Sequence, residues 1–251
     1  MASSRPLLLA FPPAGAGAGL FRSWVGAAPP AMAVHPVSLP GREARFNEPL
    51  PISIEALADQ LAGELRPLLT GRYAILGYSM GALLGYETAR RFQAQGLGAP
   101  EAFFALGCNA PDRMVLDRDP FHNMEPAAFR QALIDLGGMP LEILDNPEAM
   151  AVFEPVLRND FRICETYRHE ASRGVLRCPA HLLLCRDDAF VREPAAMAWS
   201  GFVTGGLTLD WLDGGHMIAG PVFDALPDLV ARRWLERAQD AHAGARKAGW
   251  R

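Results

Sequence analysis

One serine occupies a sequence position suited to nucleophilic catalysis. Gly77, Tyr78, Ser79, Met80 and Gly81 form the pattern G-x-S-x-G, between a run with strand character and a run with helix character. A strand that turns directly into a helix leaves its corner residue projecting above the sheet, and glycines two positions away avoid a collision with neighbouring backbone. Ser79 is therefore predicted to be a nucleophile. The alternative is a structural glycine turn that holds a serine without a role.

A serine nucleophile needs a base, because its alkoxide does not form at neutral pH. Of the six histidines, His216 lies in the glycine-flanked stretch LDWLDGGHMIAG, just after the last strand-like run. Loops that follow parallel strands meet at one edge of the sheet, where Ser79 is also expected. His216 is the predicted base, and the alternative is a loop histidine without a role. The other five fall in predicted strands, in a helical insertion or in the C-terminal tail: His35, His181, His122, His169 and His242.

The imidazole needs a carboxylate that holds one tautomer and stabilises its cation. The stretch HLLLCRDDAFV offers Asp187 and Asp188 at the end of the preceding strand. Adjacent side chains at a strand end point in different directions, and Asp188, further past the strand, is the preferred partner. Asp213 is nearer to His216 in sequence, but three residues back on a turn is a poor angle. The chain order Ser79, Asp188, His216 is that of α/β-hydrolases.

The same chemistry requires N–H donors for a developing oxyanion. The N–H of Met80, directly after Ser79, is one predicted donor. The second is expected from the loop FPPAGAGAGLF, where two prolines leave Ala14 as the first available N–H and Gly15 as the next. A phosphate-binding interpretation of these glycines fails, because neither G-K-[ST] nor a complete dinucleotide fingerprint follows.

These residues need a scaffold that brings strand ends together, and the pattern of apolar runs predicts one. Helical spacing is clearest over Ser53–Leu69 and Ala82–Gln95, with further helices over Ala195–Phe202 and near Leu226–Gln239. Strands that alternate with helices predict an α/β fold, a mostly parallel sheet with helices on both faces. The six strand-like runs are Pro6–Phe11, Ala33–Leu39, Tyr73–Tyr78, Ala102–Asn109, Ala180–Arg186 and Leu207–Leu212.

The alternation stops between Asp112 and about Gly174, where helical pieces are broken by glycines and prolines. An insertion of this kind after a strand suggests a lid over the site; the alternative is a helical subdomain that only adds stability. We therefore divide the chain into an α/β-hydrolase core of residues 1–111 and 175–240, a helical lid of residues 112–174, and a disordered tail of residues 241–251.

Composition narrows the class of protein. Half of the 251 residues are apolar and the net charge is −4, which argues against a nucleic-acid partner. No apolar run approaches the ~20 residues needed to span a bilayer, so no membrane partner is expected. The four cysteines show neither C-x-x-C spacing nor pairing with histidines, so a metal site is not expected. Unpaired thiols indicate a reducing, cytoplasmic location.

Beyond these residues, the chain resembles the type II thioesterases, the stand-alone editing enzymes of polyketide and nonribosomal peptide synthesis. It is also similar to the medium-chain acyl thioesterase of fatty-acid synthesis. The motifs that carry the resemblance are FPPAGAGAGLFRSW, LPGREARFNEPL, GYSMGALLGYETARR, LGGMPLEIL, LRNDFRICETY, LLLCRDDAFV and GGHMI. They extend from about Leu8 to Ile218. Family members often carry histidine where this chain has Pro13 and Tyr78, and serine where it has Cys108.

The resemblance implies hydrolysis of acyl or aminoacyl thioesters on the phosphopantetheine arm of acyl or peptidyl carrier domains, which clears stalled or misprimed synthases. The substrate brings that arm, so no separate cofactor is expected. The family's nucleophile, acid and base fall on Ser79, Asp188 and His216, and its oxyanion donors on Met80 and Ala14.

Arg22, Arg42 and Arg45 are expected near the entrance, where they would meet an acidic carrier or the phosphate of the arm; alternatively they are ordinary surface arginines. Three other functions stay open at this point. The chain would act as a carboxylesterase or lipase on free esters, as an acyltransferase to an amine or alcohol, or as a hydrolase-fold protein that only binds a carrier.

Overall fold

The computed structural model describes residues 5–114 and 119–235. Its centre is a six-stranded parallel sheet with the order β2-β1-β3-β4-β5-β6. The prediction of a mostly parallel α/β sheet is confirmed. The proposed tail, residues 241–251, and His242 lie outside the described residues. The strands are β1 (Leu7–Phe11), β2 (Ala33–Pro36), β3 (Tyr73–Tyr78), β4 (Phe103–Leu106), β5 (Ala180–Cys185) and β6 (Leu207–Leu212).

Helices cover both faces of the sheet, because the central strands send apolar side chains to both sides. Leu9 and Phe11 of β1 pack in one hydrophobic core, whereas Leu8 and Ala10 pack in the other. The helices are α1 (Arg22–Ala27), α2 (Ile54–Leu65), α3 (Met80–Ala94), α4 (Pro126–Leu136), α5 (Leu141–Leu144), α6 (Pro147–Glu165), α7 (Glu193–Met197), α8 (Gly220–Asp224) and α9 (226–235).

The two faces are covered by different helices. The core that includes Leu9 contains side chains of α2 and α3, and the core that includes Leu8 contains Trp24 of α1 and Trp234 of α9. Ser53 caps α2, because its Oγ accepts a hydrogen bond from the N–H of Ala56 at 3.1 Å.

Strands β3 and β6 have the predicted bounds, whereas β2 ends three residues earlier than expected. It is an edge strand that pairs only with β1, and it ends at Pro36. Proline has no N–H to continue a ladder, and edge strands tolerate it for that reason.

Three helices, α4, α5 and α6, lie between β4 and β5, and no strand occurs in residues 119–174. They have a small apolar core of their own, made of Phe121, Phe129, Leu133, Leu144, Leu157 and Phe161. The longest, α6, contains Pro155, and its Ile163 packs in the core that includes Leu9. The insertion is therefore anchored on the sheet through one helix.

Candidate active site

Ser79 is the corner residue between β3 and α3. Its φ of 51° and ψ of −115° lie in a region that side-chain-bearing residues rarely adopt. A Cβ added to Gly77 would lie 2.2 Å from Cα of Ala82, and one added to Gly81 would lie 2.2 Å from the carbonyl oxygen of Phe11. The glycines are thus required by backbone contacts, which is the steric reason given above for the G-x-S-x-G spacing.

His216 and Asp188 complete a hydrogen-bonded chain with Ser79. The Oγ of Ser79 lies 2.9 Å from Nε2 of His216, and Nδ1 of His216 lies 2.8 Å from Oδ2 of Asp188. With the carboxylate accepting from Nδ1–H, the Nε2 lone pair faces the serine hydroxyl, the arrangement needed for proton removal. The side chains of Asp188 and His216 are 1% and 8% exposed, so water does not screen this pair.

The structure separates the three candidate carboxylates. Asp188 is held in place by its second oxygen, Oδ1, which accepts hydrogen bonds from the N–H groups of Phe190 and Val191 at 2.8 and 3.2 Å. Asp187 is exposed, and the 88% exposed side chain of Asp213 pairs with Arg186. Of the three, Asp188 is the one in contact with the imidazole.

Tyr78 holds the histidine loop, a role that the sequence analysis did not assign. Its hydroxyl donates to the carbonyl oxygen of His216 at 2.7 Å and accepts from the N–H of Ile218 at 2.6 Å. Burial raises the pKa of Tyr78 well above its ordinary value, so the hydroxyl stays protonated and keeps donating. One feature of the sequence pointed to this position: directly before the nucleophile, this chain has a tyrosine where family members often have histidine.

The two predicted oxyanion donors line the same cavity as Ser79 and His216. Met80 begins α3 and Ala14 lies in the loop after β1. The N–H of the alternative donor, Gly15, is committed elsewhere, because it lies 2.9 Å from Oδ2 of Asp160 on α6. The geometry therefore favours Ala14 over Gly15.

The cavity beside Ser79 has a volume of about 90 Å³. Leu136, Phe161 and Phe121 of the insertion contribute to its walls, whereas Phe129 and Leu133 pack inside the insertion and Phe153 is exposed. The full lining is Ala14, Ser79, Met80, Gly107, Cys108, Asn109, Met114, Phe121, Leu136, Phe161, Cys164, Glu165, Phe190, Val191 and His216. The lining is mostly apolar, with Ser79 and His216 among its few polar side chains, as is typical of small-molecule sites.

Two cysteines line this cavity without competing as nucleophiles. Burial raises the pKa of the Cys108 thiol to about 12, and the pKa of Cys164 is also raised well above its ordinary value by burial. Both thiols are therefore protonated at neutral pH, and a protonated thiol is a poor nucleophile.

The expectation that three arginines face a docking partner is wrong for Arg42. Its guanidinium is buried and forms a two-pronged ion pair with Asp160, at 2.6 and 2.9 Å. Arg45 is half-buried and pairs with Glu48 and Glu64. Arg22, at the start of α1, is exposed. A buried, fully paired guanidinium cannot meet a carrier without breaking its pair.

Comparison with known proteins shows the family of this chain. A model of the thioesterase domain matches residues 6–232. The chain belongs to the thioesterase family. Thioesterase PikA5 of Streptomyces venezuelae is 30% identical over 83% of this chain and 74% of that protein. The solved structure of the type II thioesterase BorB, from the borrelidin biosynthetic cluster, has a TM-score of 0.82 and 33% identity over 92% of this chain and 93% of BorB. The predicted thioester hydrolase of type II is confirmed.

A further relative carries a different name. Linear gramicidin dehydrogenase LgrE of Brevibacillus parabrevis is 33% identical over 86% of this chain and 82% of that protein. In this chain the glycine-rich loop does not suit a dinucleotide. A Cβ added to Gly17 would lie 2.4 Å from the carboxylate carbon of Glu43, and the N–H of Gly19 donates to that carboxylate at 2.9 Å. A pyrophosphate would meet a negative charge where it needs donors.

Residues 5–114 and 119–235 contain no group of three or more potential metal ligands, and no helix among them is long and apolar enough to cross a bilayer.

Proposed function

We propose that this protein is an editing thioesterase that hydrolyses acyl or aminoacyl thioesters held on the phosphopantetheine arm of carrier domains. The observation that carries the proposal is the chain of hydrogen bonds from Ser79 through His216 to Asp188, at the polar end of an apolar cavity. The similarity to BorB, the type II thioesterase of the borrelidin biosynthetic cluster, supports the same proposal.

The first step transfers the acyl group to the enzyme. Nε2 of His216 takes the proton of Ser79 as Oγ attacks the thioester carbonyl, and Asp188 stabilises the imidazolium that forms. The tetrahedral oxyanion accepts hydrogen bonds from the N–H groups of Met80 and Ala14. Collapse breaks the carbon–sulfur bond, and the pantetheine thiol leaves with the proton from His216.

The second step frees the enzyme. Water loses a proton to Nε2 of His216 and attacks the acyl-Ser79 carbonyl, with the oxyanion held by the same two N–H groups. Collapse returns the proton to the Oγ of Ser79 and releases the carboxylic acid. Each oxyanion donor contributes roughly 10²–10³-fold to the rate in such enzymes, so the loop geometry matters almost as much as the triad.

The partner in this proposal is an acyl or peptidyl carrier domain, and the only prosthetic group involved arrives on that carrier. Arg22 is the one of the three arginines that stays available for the carrier or for the phosphate of the arm. The four cysteines are free thiols, in keeping with action in the reducing cytoplasm.

The test uses intact-mass spectrometry of an acylated carrier protein incubated with the wild-type enzyme and with Ser79→Ala, beside a p-nitrophenyl ester control. We expect the carrier to lose its acyl mass with the wild type only, at a rate well above that of the ester. Fast cleavage of the ester with an untouched carrier would identify a carboxylesterase. No reaction in either assay would favour a protein that only binds a carrier.

A further inference from the structure

Asp160 is a completely buried carboxylate with three hydrogen-bond donors from distant parts of the chain. Its Oδ2 accepts from the N–H of Gly15 at 2.9 Å and from Nη1 of Arg42 at 2.6 Å, and its Oδ1 accepts from Nη2 of Arg42 at 2.9 Å. A buried carboxylate is costly unless its oxygens are paired, and breaking such a pair leaves a charge without a partner. This cluster is therefore a rigid junction between α6 and two loops.

The junction holds the peptide group adjacent to the one that carries the N–H of Ala14, the proposed second oxyanion donor. The N–H of Gly15 and the carbonyl of Ala14 belong to one planar peptide group. A hydrogen bond that fixes this N–H therefore fixes the orientation of the peptide after Ala14. On the other side of Gly15, Leu157 of α6 packs so closely that an added Cβ would lie 2.2 Å from its Cδ2.

Arg42 also holds the same loop two peptide groups further along. Its Nη1 also donates to the carbonyl oxygen of Ala16 at 3.2 Å, and its Nε donates to that of Pro40 at 3.3 Å. The Arg42–Asp160 ion pair thus holds the loop at the Gly15 N–H and at the Ala16 carbonyl, the two ends of the dipeptide Gly15–Ala16.

We propose that Asp160, oriented by Arg42, is a positioning residue that sets the Ala14 N–H for the oxyanion. The inference rests on the proposed function of Ala14 and goes beyond it, because it gives the helical insertion a part in catalysis. Helix α6 carries Asp160, so the insertion shapes the oxyanion hole and does not merely cover the cavity.

The test is Asp160→Asn, which keeps the shape of the side chain. An amide has one acceptor oxygen and one N–H2 group. If its oxygen takes the place of Oδ2, the N–H2 group faces Nη2 of Arg42; if it takes the place of Oδ1, the N–H2 group faces the N–H of Gly15 and Nη1 of Arg42, so the ion pair is lost in either orientation. We expect kcat on an acyl-pantetheine thioester to fall about 10- to 100-fold, since a displacement of about 1 Å in a catalytic group costs about 10²-fold. KM should change by less than about 2-fold, because a misplaced oxyanion donor affects the transition state more than the ground state.

A second readout separates positioning from general loss of structure. An alkyl trifluoromethyl ketone forms a tetrahedral adduct with the serine, whose oxyanion needs the hole, whereas the product carboxylic acid needs only the cavity. Asp160→Asn should weaken binding of the ketone by about the same factor as it lowers kcat, and the inhibition constant of the product acid should stay unchanged. Equal losses for both inhibitors, or unchanged affinity for the ketone, would overturn the proposal.

Glu87→Gln is the matched control. Glu87 is also a buried carboxylate, 2% exposed, and its two oxygens pair with Arg90 at 2.8 Å and Arg91 at 2.6 Å on α3. We expect this variant to lower the melting temperature and to leave kcat and the ketone affinity within about 2-fold of wild type. A loss in kcat as large as that of Asp160→Asn would mean that any buried ion pair has this effect, which would overturn the proposal.

If Asp160→Asn does not fold, Arg42→Lys answers the same question. Lysine keeps the positive charge but not the two-pronged geometry, so ketone affinity and kcat should fall together by about 3- to 10-fold. Unchanged values would overturn the proposal. The proposed function fails separately, if the wild-type enzyme cleaves p-nitrophenyl acetate but no thioester; the positioning claim would then be tested on that ester with the same variants.

Discussion

The turn at Ser79 and the loop after β1 face the same cavity, but different forces hold them. The turn is fixed by backbone contacts: Gly77 fits against Ala82, five residues away, and Gly81 fits against the carbonyl oxygen of Phe11 in β1. The loop is fixed by side chains from far along the chain, since Gly15 and its partner Asp160 are 145 residues apart. The nucleophile and the proposed second oxyanion donor, Ala14, are therefore held in place by different contacts.

This difference predicts how the turn and the loop respond to substitution. A turn held by backbone sterics tolerates no added atom, but it does not depend on the side chain of any distant residue. A loop held by a buried ion pair depends on the charge and geometry of Asp160 and Arg42, and through Asp160 on the placement of α6. We expect damage to the turn to appear first in stability, and damage to the loop to appear first in turnover.

The largest effect should come from removing the nucleophile itself. Ser79→Ala should lower thioester turnover by at least about 10³-fold, because residues of a triad act as a unit. The melting temperature should stay within a few degrees of wild type, since Ser79 is only half-buried. Steady-state assay with thermal unfolding of the same sample measures both, and near-wild-type turnover would refute the nucleophile.

Substitution of the carboxylate beside His216 should have the next largest effect on turnover. Asp188→Asn removes the charge that stabilises the imidazolium and disturbs the tautomer, so kcat should fall about 10³-fold or more. The neighbouring Asp187→Asn is the matched control, expected to stay within about 2-fold because its side chain is exposed. Finding the reverse ranking in the same assay would show that the wrong carboxylate has been chosen.

Glycine substitutions test the turn against the loop. Gly77→Ala places a Cβ against backbone atoms at 2.2 Å, where nothing can yield, so we expect a loss of about 3 kcal/mol or more in the free energy of unfolding. In Gly15→Ala the added Cβ meets only the end of the Leu157 side chain, although the φ of 76° adds strain. We therefore expect a smaller loss in the free energy of unfolding than for Gly77→Ala, and a larger decrease in kcat.

The control is Gly63→Ala in the middle of α2, where an added Cβ meets nothing within 4 Å. Helix propensity predicts a gain of about 0.5–1 kcal/mol there. Urea denaturation of the three variants gives the comparison. If Gly77→Ala and Gly15→Ala lowered the free energy of unfolding equally, the distinction between a turn held by backbone contacts and a loop held by side chains would be lost.

The smallest effect concerns Tyr78, which belongs to the turn but acts on the histidine loop. Tyr78→Phe leaves the N–H of Ile218 without its partner, so we expect about 1–3 kcal/mol lower stability and about 10-fold lower kcat. Tyr86→Phe is the control, because the Tyr86 hydroxyl is buried and has no hydrogen-bond partner among the described residues. A loss at Tyr86 equal to that at Tyr78 would contradict the role of the hydroxyl.

This contrast also explains what could be predicted from the sequence. The bounds of β3, the requirement for glycine at 77 and the preference for Asp188 follow from reasons contained within a few residues, and the glycine at 81 was recognised from the G-x-S-x-G pattern. The place of Arg42 did not, because an arginine in a loop looks the same whether it faces water or a carboxylate 118 residues away. Long-range pairing of this kind depends on the folded structure and cannot be recognised in any short stretch of sequence.

The most direct measurement of the central claim is the site of the covalent intermediate. The enzyme is mixed with an acyl-pantetheine thioester, quenched in acid within milliseconds, digested and analysed by peptide mass spectrometry. We predict that the acyl mass lies on Ser79 in the wild type and is missing in Ser79→Ala. Acyl mass on Cys108 or Cys164, which line the same cavity, with Ser79 unmodified would contradict the account.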